Sequence, residues 1–157
     1  MHAIIQRYTR VSYNFYGTLH RMLSESHIIQ LLQTEFPEHI GDDAACLPLN
    51  HEQSYVIAKD LLVENRHFRL SYQDAQSLAH KALHVNLSDI AAMGATPQFV
   101  LLGLAIPEHF EPNLDAFLHA FSKACKAASV LLIGGDTTGS SHDLLISITA
   151  IGMAATT

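Results

Sequence analysis

The 157-residue chain is poor in the parts from which covalent staples, membrane spans and polyanion-binding faces are built. It has two cysteines, Cys46 and Cys125, with no C-x-x-C spacing. That excludes a disulfide scaffold and a cysteine-built zinc site, and it suits a reducing cytoplasm. The longest clean apolar run, residues 99–106, is broken by Gly103 and falls far short of the roughly 20 residues a membrane helix needs. Nine basic residues stand against 15 acids, a net charge of −6, so non-specific nucleic-acid binding is excluded as a main role. The chain lacks the Walker pattern GxxxxGK[ST], the dinucleotide pattern GxGxxG and any local signature of a Ser–His–Asp nucleophile. Nucleotide chemistry would therefore sit outside those folds. No internal repeat or low-complexity stretch is present, and no apolar segment of secretory type precedes a small-residue cleavage site.

What remains is a globular composition, 48% hydrophobic and 15% charged, enough for one domain with a real core. The charge is uneven. Residues 1–21 hold three arginines and no acid, whereas residues 22–157 carry six basic residues and all 15 acids, a balance of −9. The basic leader has no clear apolar period. It reads as an atypical, poorly ordered extension or a start codon placed too early, with an organelle-targeting segment as the alternative. The domain proper would begin near Met22.

Periodicity divides the rest. Residues 24–36 have apolar positions at helical spacing, capped by Ser24 or Ser26 and stopped by Pro37. Residues 44–47 form a short apolar piece, and residues 54–58 read as a strand that ends at Lys59-Asp60. A long helix is expected over 72–93, started near Ser71 and closed by Gly94. Residues 98–106 read as a buried strand. Residues 113–128 read as an amphipathic helix with Leu114, Phe117, Leu118, Phe121 and Cys125 inward. Residues 130–133 read as a buried strand leading into Gly134-Gly135-Asp136, and 144–151 as a last strand. Both cysteines are expected in the core. The order predicts an α+β fold, a mixed or antiparallel sheet with helices packed on one face.

The acids are placed with a pattern. Asp42 and Asp43 follow a glycine before a short strand, Asp60 follows a strand, and Asp136 follows another through two glycines. Asp89 lies inside the long helix, a poor place for aspartate on propensity alone. Strand-end aspartates are common turn formers. Taken together they also suit Mg²⁺, which prefers carboxylate oxygens and bridges to phosphates, while glycines let backbone N–H groups approach a phosphate. Two unit charges 4 Å apart repel by about 4 kcal/mol at an effective dielectric of 20, so such a cluster needs divalent cations before it can accept a nucleotide. His80 and His84 have i, i+4 spacing but no third ligand beside them, and read as exposed helix residues. His67 follows the Asp60 turn, either as a loop histidine beside a buried Phe68 or as a ligand contact.

Four segments carry a resemblance: Ile40-Gly-Asp-Asp-Ala-Ala45, Asp60-Leu-Leu-Val-Glu64 with His67-Phe68, Lys81 to Ala95 (KALHVNLSDIAAMGA) followed by Pro97, and Gly134-Gly-Asp-Thr-Thr138. In this order and spacing they resemble the amino-terminal domain of thiamine-monophosphate kinases, within the superfamily of aminoimidazole ribonucleotide synthetase. Selenophosphate synthetase shares a similar stretch but adds a reactive Cys or selenocysteine segment that is not found here. The resemblance implies ATP-dependent phosphorylation of thiamine monophosphate to thiamine diphosphate, with Mg²⁺ as cofactor and ATP as co-substrate. It implies Mg²⁺ ligands at Asp43, Asp60, Asp89 and Asp136, with Asp42 supporting the first turn. Gly135 and Asp136 would lie against ATP, and His67 would contact thiamine monophosphate. No separate catalytic base is implied, because the acceptor phosphate is already ionised and alignment with charge screening does most of the work. The resemblance further implies a cytoplasmic homodimer formed through the sheets, with neither nucleic acid nor membrane as a partner.

Two segments depart from the family pattern. Ala58 and Lys59 stand where hydroxyl residues usually help hold metal, and Gly139-Ser140 stand where Arg-Gly usually follows. An ammonium has no lone pair for a metal, so Lys59 either replaces one cation's charge or disrupts the site. The family's carboxy-terminal domain is expected to be absent. The alternatives are a non-catalytic, dimerising fragment that binds Mg²⁺–nucleotide, or another ATP-dependent synthetase of the superfamily.

Overall fold

The computed structural model describes residues 25–37, 40 and 42–155. The basic leader, residues 1–21, lies outside them. Helix α1 (Glu25–Glu35) precedes strands β1 (Ala45–Pro48) and β2 (Gln53–Val63). Helix α2 (Ala75–Ala92) leads to β3 (Thr96–Pro107). A 3₁₀ turn (Glu108–Asn113) then opens α3 (Leu114–Ala127), followed by β4 (Leu131–Ser140) and β5 (Leu145–Ala155).

The five strands form one mixed sheet in the order β1-β2-β5-β3-β4. Every pair is antiparallel except β3 and β4, which are joined by the α3 crossover. The fold is α+β, with α2 and α3 against one face. Strand alternation shows which face that is. Val56, Ala58 and Leu62 of β2, Ile146, Ile148 and Ala150 of β5, and Val100, Leu102 and Leu104 of β3 are all buried. Helix α2 meets them with Leu78, Ala79, Ala82, Leu83, Asn86 and Ile90, spaced three and four apart. Gly152 permits the close approach, since a Cβ there would stand 2.5 Å from the Ile90 side chain. Helix α3 buries Phe117 and Phe121, stacked 6.0 Å apart, with Phe110 edge-on to Phe117.

Several expectations change. Strands β2 and β4 run on past their predicted ends, so Asp60 and Asp136 lie within strands and not after them. Eleven residues of β2 pair with β5, and that ladder carries the strand past Lys59-Asp60. Helix α2 starts later than expected, because Asp74 is the cap and its Oδ1 accepts the Ser77 N–H at 2.7 Å. Residues 131–133 are not buried: Leu131, Leu132 and Ile133 are 61%, 42% and 50% exposed, because β4 is the edge strand. Leu118 is also exposed. Cys125 is buried as expected, but Cys46 is exposed on β1, at the opposite edge.

Candidate functional site

The acidic residues converge from three elements. Antiparallel pairing sets Ala45 of β1 opposite Ile57 of β2, and two further steps of that register bring Asp43 alongside the Lys59-Asp60 segment. Asp42 supports the turn, accepting the Asp43 N–H through Oδ1 at 3.0 Å. Helix α2 brings Asp89 to the same place. The Asp89 carboxyl is held above its ordinary value of 3.8, first by burial, then by the negative charge of Asp60, then by that of Asp43. A half-buried carboxylate facing two others is a donor set that fits a hard divalent cation. Among the described residues, however, no three His, Cys, Asp or Glu side chains already stand close enough to hold one ion together.

Asp136 stands apart from this trio. It lies on β4, paired with Gly103 of β3, and two strands separate β4 from β2. Three strand spacings put it roughly 14 Å from the row of Asp60. Its Oδ1 accepts the neighbouring Thr137 N–H at 2.9 Å. Gly135 has a structural reason for being glycine whatever binds beside it. Its φ is +156°, and a Cβ would stand 1.7 Å from the Leu102 carbonyl oxygen.

Asn86 is the residue that sequence reasoning missed. It is buried, its Oδ1 accepts the Asp60 N–H at 3.1 Å, and its Nδ2 donates to the Ala82 carbonyl at 3.0 Å. It ties α2 to the backbone of Asp60 one turn before Asp89. The signal was available: an amide on the apolar stripe Leu78–Ala82–Leu83–Ile90 needs a partner.

His67 lies on the loop after β2 and is exposed. Its Nδ1 accepts the Val63 N–H at 2.9 Å, and its carbonyl accepts from Lys81 Nζ at 2.6 Å. Nearby, the buried carboxylate of Glu64 accepts from the Leu144 N–H and from His109 Nε2, each at 3.0 Å. Lys59 points to the face away from the helices, where its ammonium donates to Ser147 Oγ at 2.6 Å and Thr149 Oγ1 at 3.4 Å. Ala58 is buried against the helices. His80 and His84 stack 5.9 Å apart, with the His84 Nδ1 on the His80 carbonyl. His80, His119 and Lys123 line a groove of about 720 Å³ between α2 and α3 that contains none of these acids.

Residues 41–154 match the family described as AIR synthase related protein, N-terminal domain. The chain is 40% identical to the thiamine-monophosphate kinase of Bacillus subtilis over 114 residues, 72% of this chain and 35% of that protein. It is 48% identical to the Salmonella typhimurium enzyme of the same name over 99 residues, 63% of this chain and 30% of that one. The fold superposes on a solved ThiL protein complexed with AMPPCP and TMP, with a TM-score of 0.79 and 28% identity. That match covers 90% of this chain and 45% of the other. The chain thus spans about a third of the length of the curated relatives it matches.

Proposed function

Because the chain belongs to the AIR synthase related proteins as their amino-terminal domain, we propose that it is the amino-terminal domain of a thiamine-monophosphate kinase, transferring the γ-phosphoryl group of ATP to thiamine monophosphate. The observation that carries the reading is geometric: the β1–β2 register brings Asp43 toward Asp60, and the Asn86–Asp60 bond holds that strand under the turn of α2 that bears Asp89. Mg²⁺ bound there would neutralise the repulsion between these carboxylates and the phosphates of ATP.

Each residue has a task in that reading. Asp43, Asp60 and Asp89 hold metal, and Asp42 shapes the turn that presents Asp43. Asp136 and Gly135 on β4 belong to the nucleotide side, with Asp136 too far from Asp60 to share one ion with it in the same copy. His67 meets the phosphate of thiamine monophosphate. No residue need remove a proton, since the accepting phosphate is already an anion near neutral pH. Lys59, held by two hydroxyls of β5, supplies no ligand. Residues 22–157 form the amino-terminal domain in this reading, preceded by the basic extension.

The sheet face away from the helices supports homodimerisation. Tyr55, Ile57, Phe99, Leu101, Ile151 and Met153 are only half-buried there, and Leu61 is 50% exposed. Both thiols are free, which suits the cytoplasm, and no described helix is long and apolar enough to cross a membrane.

A coupled assay with ATP, Mg²⁺ and thiamine monophosphate tests the reading. Thiamine diphosphate formation that disappears in Asp89→Asn supports it. In a second reading this domain binds Mg²⁺–nucleotide and dimerises without turnover of its own. Nucleotide binding without product supports that one, and turnover with a different acceptor assigns the chain to another ATP-dependent synthetase.

A further inference from the structure

The loop that carries His67 is tied down on all sides. At its start, Glu64 grips Leu144, the residue before β5: its N–H donates to the Leu144 carbonyl at 2.9 Å, and its carboxylate accepts the Leu144 N–H at 3.0 Å. Asn65 has a left-handed φ of 60°, donates its N–H to the Phe68 carbonyl at 2.8 Å, and reaches Asp143 Oδ1 through Nδ2 at 3.0 Å. At its end, Phe68 is buried in the core. His67 itself donates its N–H to the Val63 carbonyl at 2.9 Å, and its ring takes the Val63 N–H on Nδ1.

That last bond decides the ring's chemistry. A nitrogen that accepts an N–H carries no hydrogen, so the neutral ring has its proton on Nε2. Protonating Nδ1 would set two donors against each other. His67 therefore offers a fixed Nε2–H donor. The side chain that holds the His67 backbone from another element is Lys81, whose ammonium lies 2.6 Å from the His67 carbonyl. Lys81 and Asp89 share α2, eight residues apart, or about 12 Å along the axis.

We propose that Lys81 is a positioning residue. By clamping the His67 carbonyl it keeps the Val63–His67 bond made and fixes the Nε2–H donor at a set distance from Asp89 on the same helix. This rests on the reading above that His67 meets an anionic acceptor, here the phosphate of thiamine monophosphate.

The test uses the ¹⁵N-labelled 157-residue chain and long-range ¹H–¹⁵N spectra of the histidine rings. In the wild type His67 is expected to show one tautomer, with hydrogen on Nε2. Lys81→Met keeps the aliphatic stem and removes the donor. It should give averaged His67 ring shifts and about fivefold weaker binding of thiamine monophosphate, with an unchanged far-UV spectrum. Lys81→Arg should restore both. A wild-type ring with mixed tautomers overturns the proposal, and that result needs no variant to fold. So does a Lys81→Met protein with the wild-type tautomer pattern. If the wild type binds no thiamine monophosphate but the tautomer is fixed and lost in Lys81→Met, the positioning role stands and the substrate reading falls.

Discussion

Replacing Asn86 with alanine should cost more than any single change on the surface of α2. The Asp60 N–H loses the acceptor that now lies 3.1 Å away. A buried donor left without a partner costs about 1–3 kcal/mol. The missing carboxamide also leaves a hole of about one water's volume, ~30 Å³. At about 24 cal/mol per Å³ this adds ~0.7 kcal/mol. The sum is about 2–4 kcal/mol. For a chain of this size that corresponds to a fall in Tm of roughly 5–12 °C. Urea unfolding followed by circular dichroism measures it, with an unchanged slope showing that stability and not compactness has moved. Asn86→Asp separates the contributions. It keeps an oxygen for the Asp60 N–H but loses the donor to Ala82, and it adds a charge near Asp60 and Asp89. Its deficit should be largest at neutral pH and shrink in acid as the new carboxyl is protonated. An Asn86→Ala protein within about 0.5 kcal/mol of wild type would refute the claim that this amide holds α2 to β2.

Two further outcomes follow from particular positions. Gly135→Ala forces a Cβ against the Leu102 carbonyl and should cost about 3 kcal/mol or more by thermal denaturation, whereas at Gly139 nothing lies within 4 Å and alanine should stay within about 0.5 kcal/mol. Asp89 has its carboxyl raised in the folded state, so the fold binds that proton more tightly than the unfolded chain does. Stability contributed by the protonated form is present in acid and is lost as pH rises from about 3.8 through the raised value. In metal-free buffer at pH 7, Asp89→Asn should therefore unfold at a higher urea concentration than wild type, and the difference should vanish near pH 3.

Much of this was legible in the sequence because the hydrophobic periods are strong. The eight elements appear in the expected order, and α3 places Phe117, Phe121 and Cys125 inward as its spacing requires. The strand ends were not legible. Lys59-Asp60 and Gly134-Gly135 read as terminators, yet cross-strand pairing with β5 and β3 carries both strands through them. Edge position was hidden as well. Leu131, Leu132 and Ile133 have the composition of a central strand, and only the topology shows that β4 has a partner on one side alone. For the site, the pattern of acids separated by glycines pointed to a cluster, and Asp60 and Asp43 lie near enough to Asp89 to raise its carboxyl, without yet closing on one ion. That Asp136 lies three strand spacings away depends on strand order, which no local spacing encodes. Asn86 and Lys81 were passed over because each acts on backbone brought near by the fold: Asp60 for one, His67 for the other.

If Asp43, Asp60 and Asp89 together take up a divalent cation, Mg²⁺ must stabilise the fold through them. Thermal unfolding of wild type and Asp89→Asn across a Mg²⁺ titration, at constant ionic strength, tests it most directly. Mg²⁺ at about 100 times its Kd should stabilise the wild type by about 2.7 kcal/mol, a rise in Tm of roughly 5–10 °C, and should leave Asp89→Asn nearly flat. Equal responses in the two proteins, or none in the wild type, would contradict it.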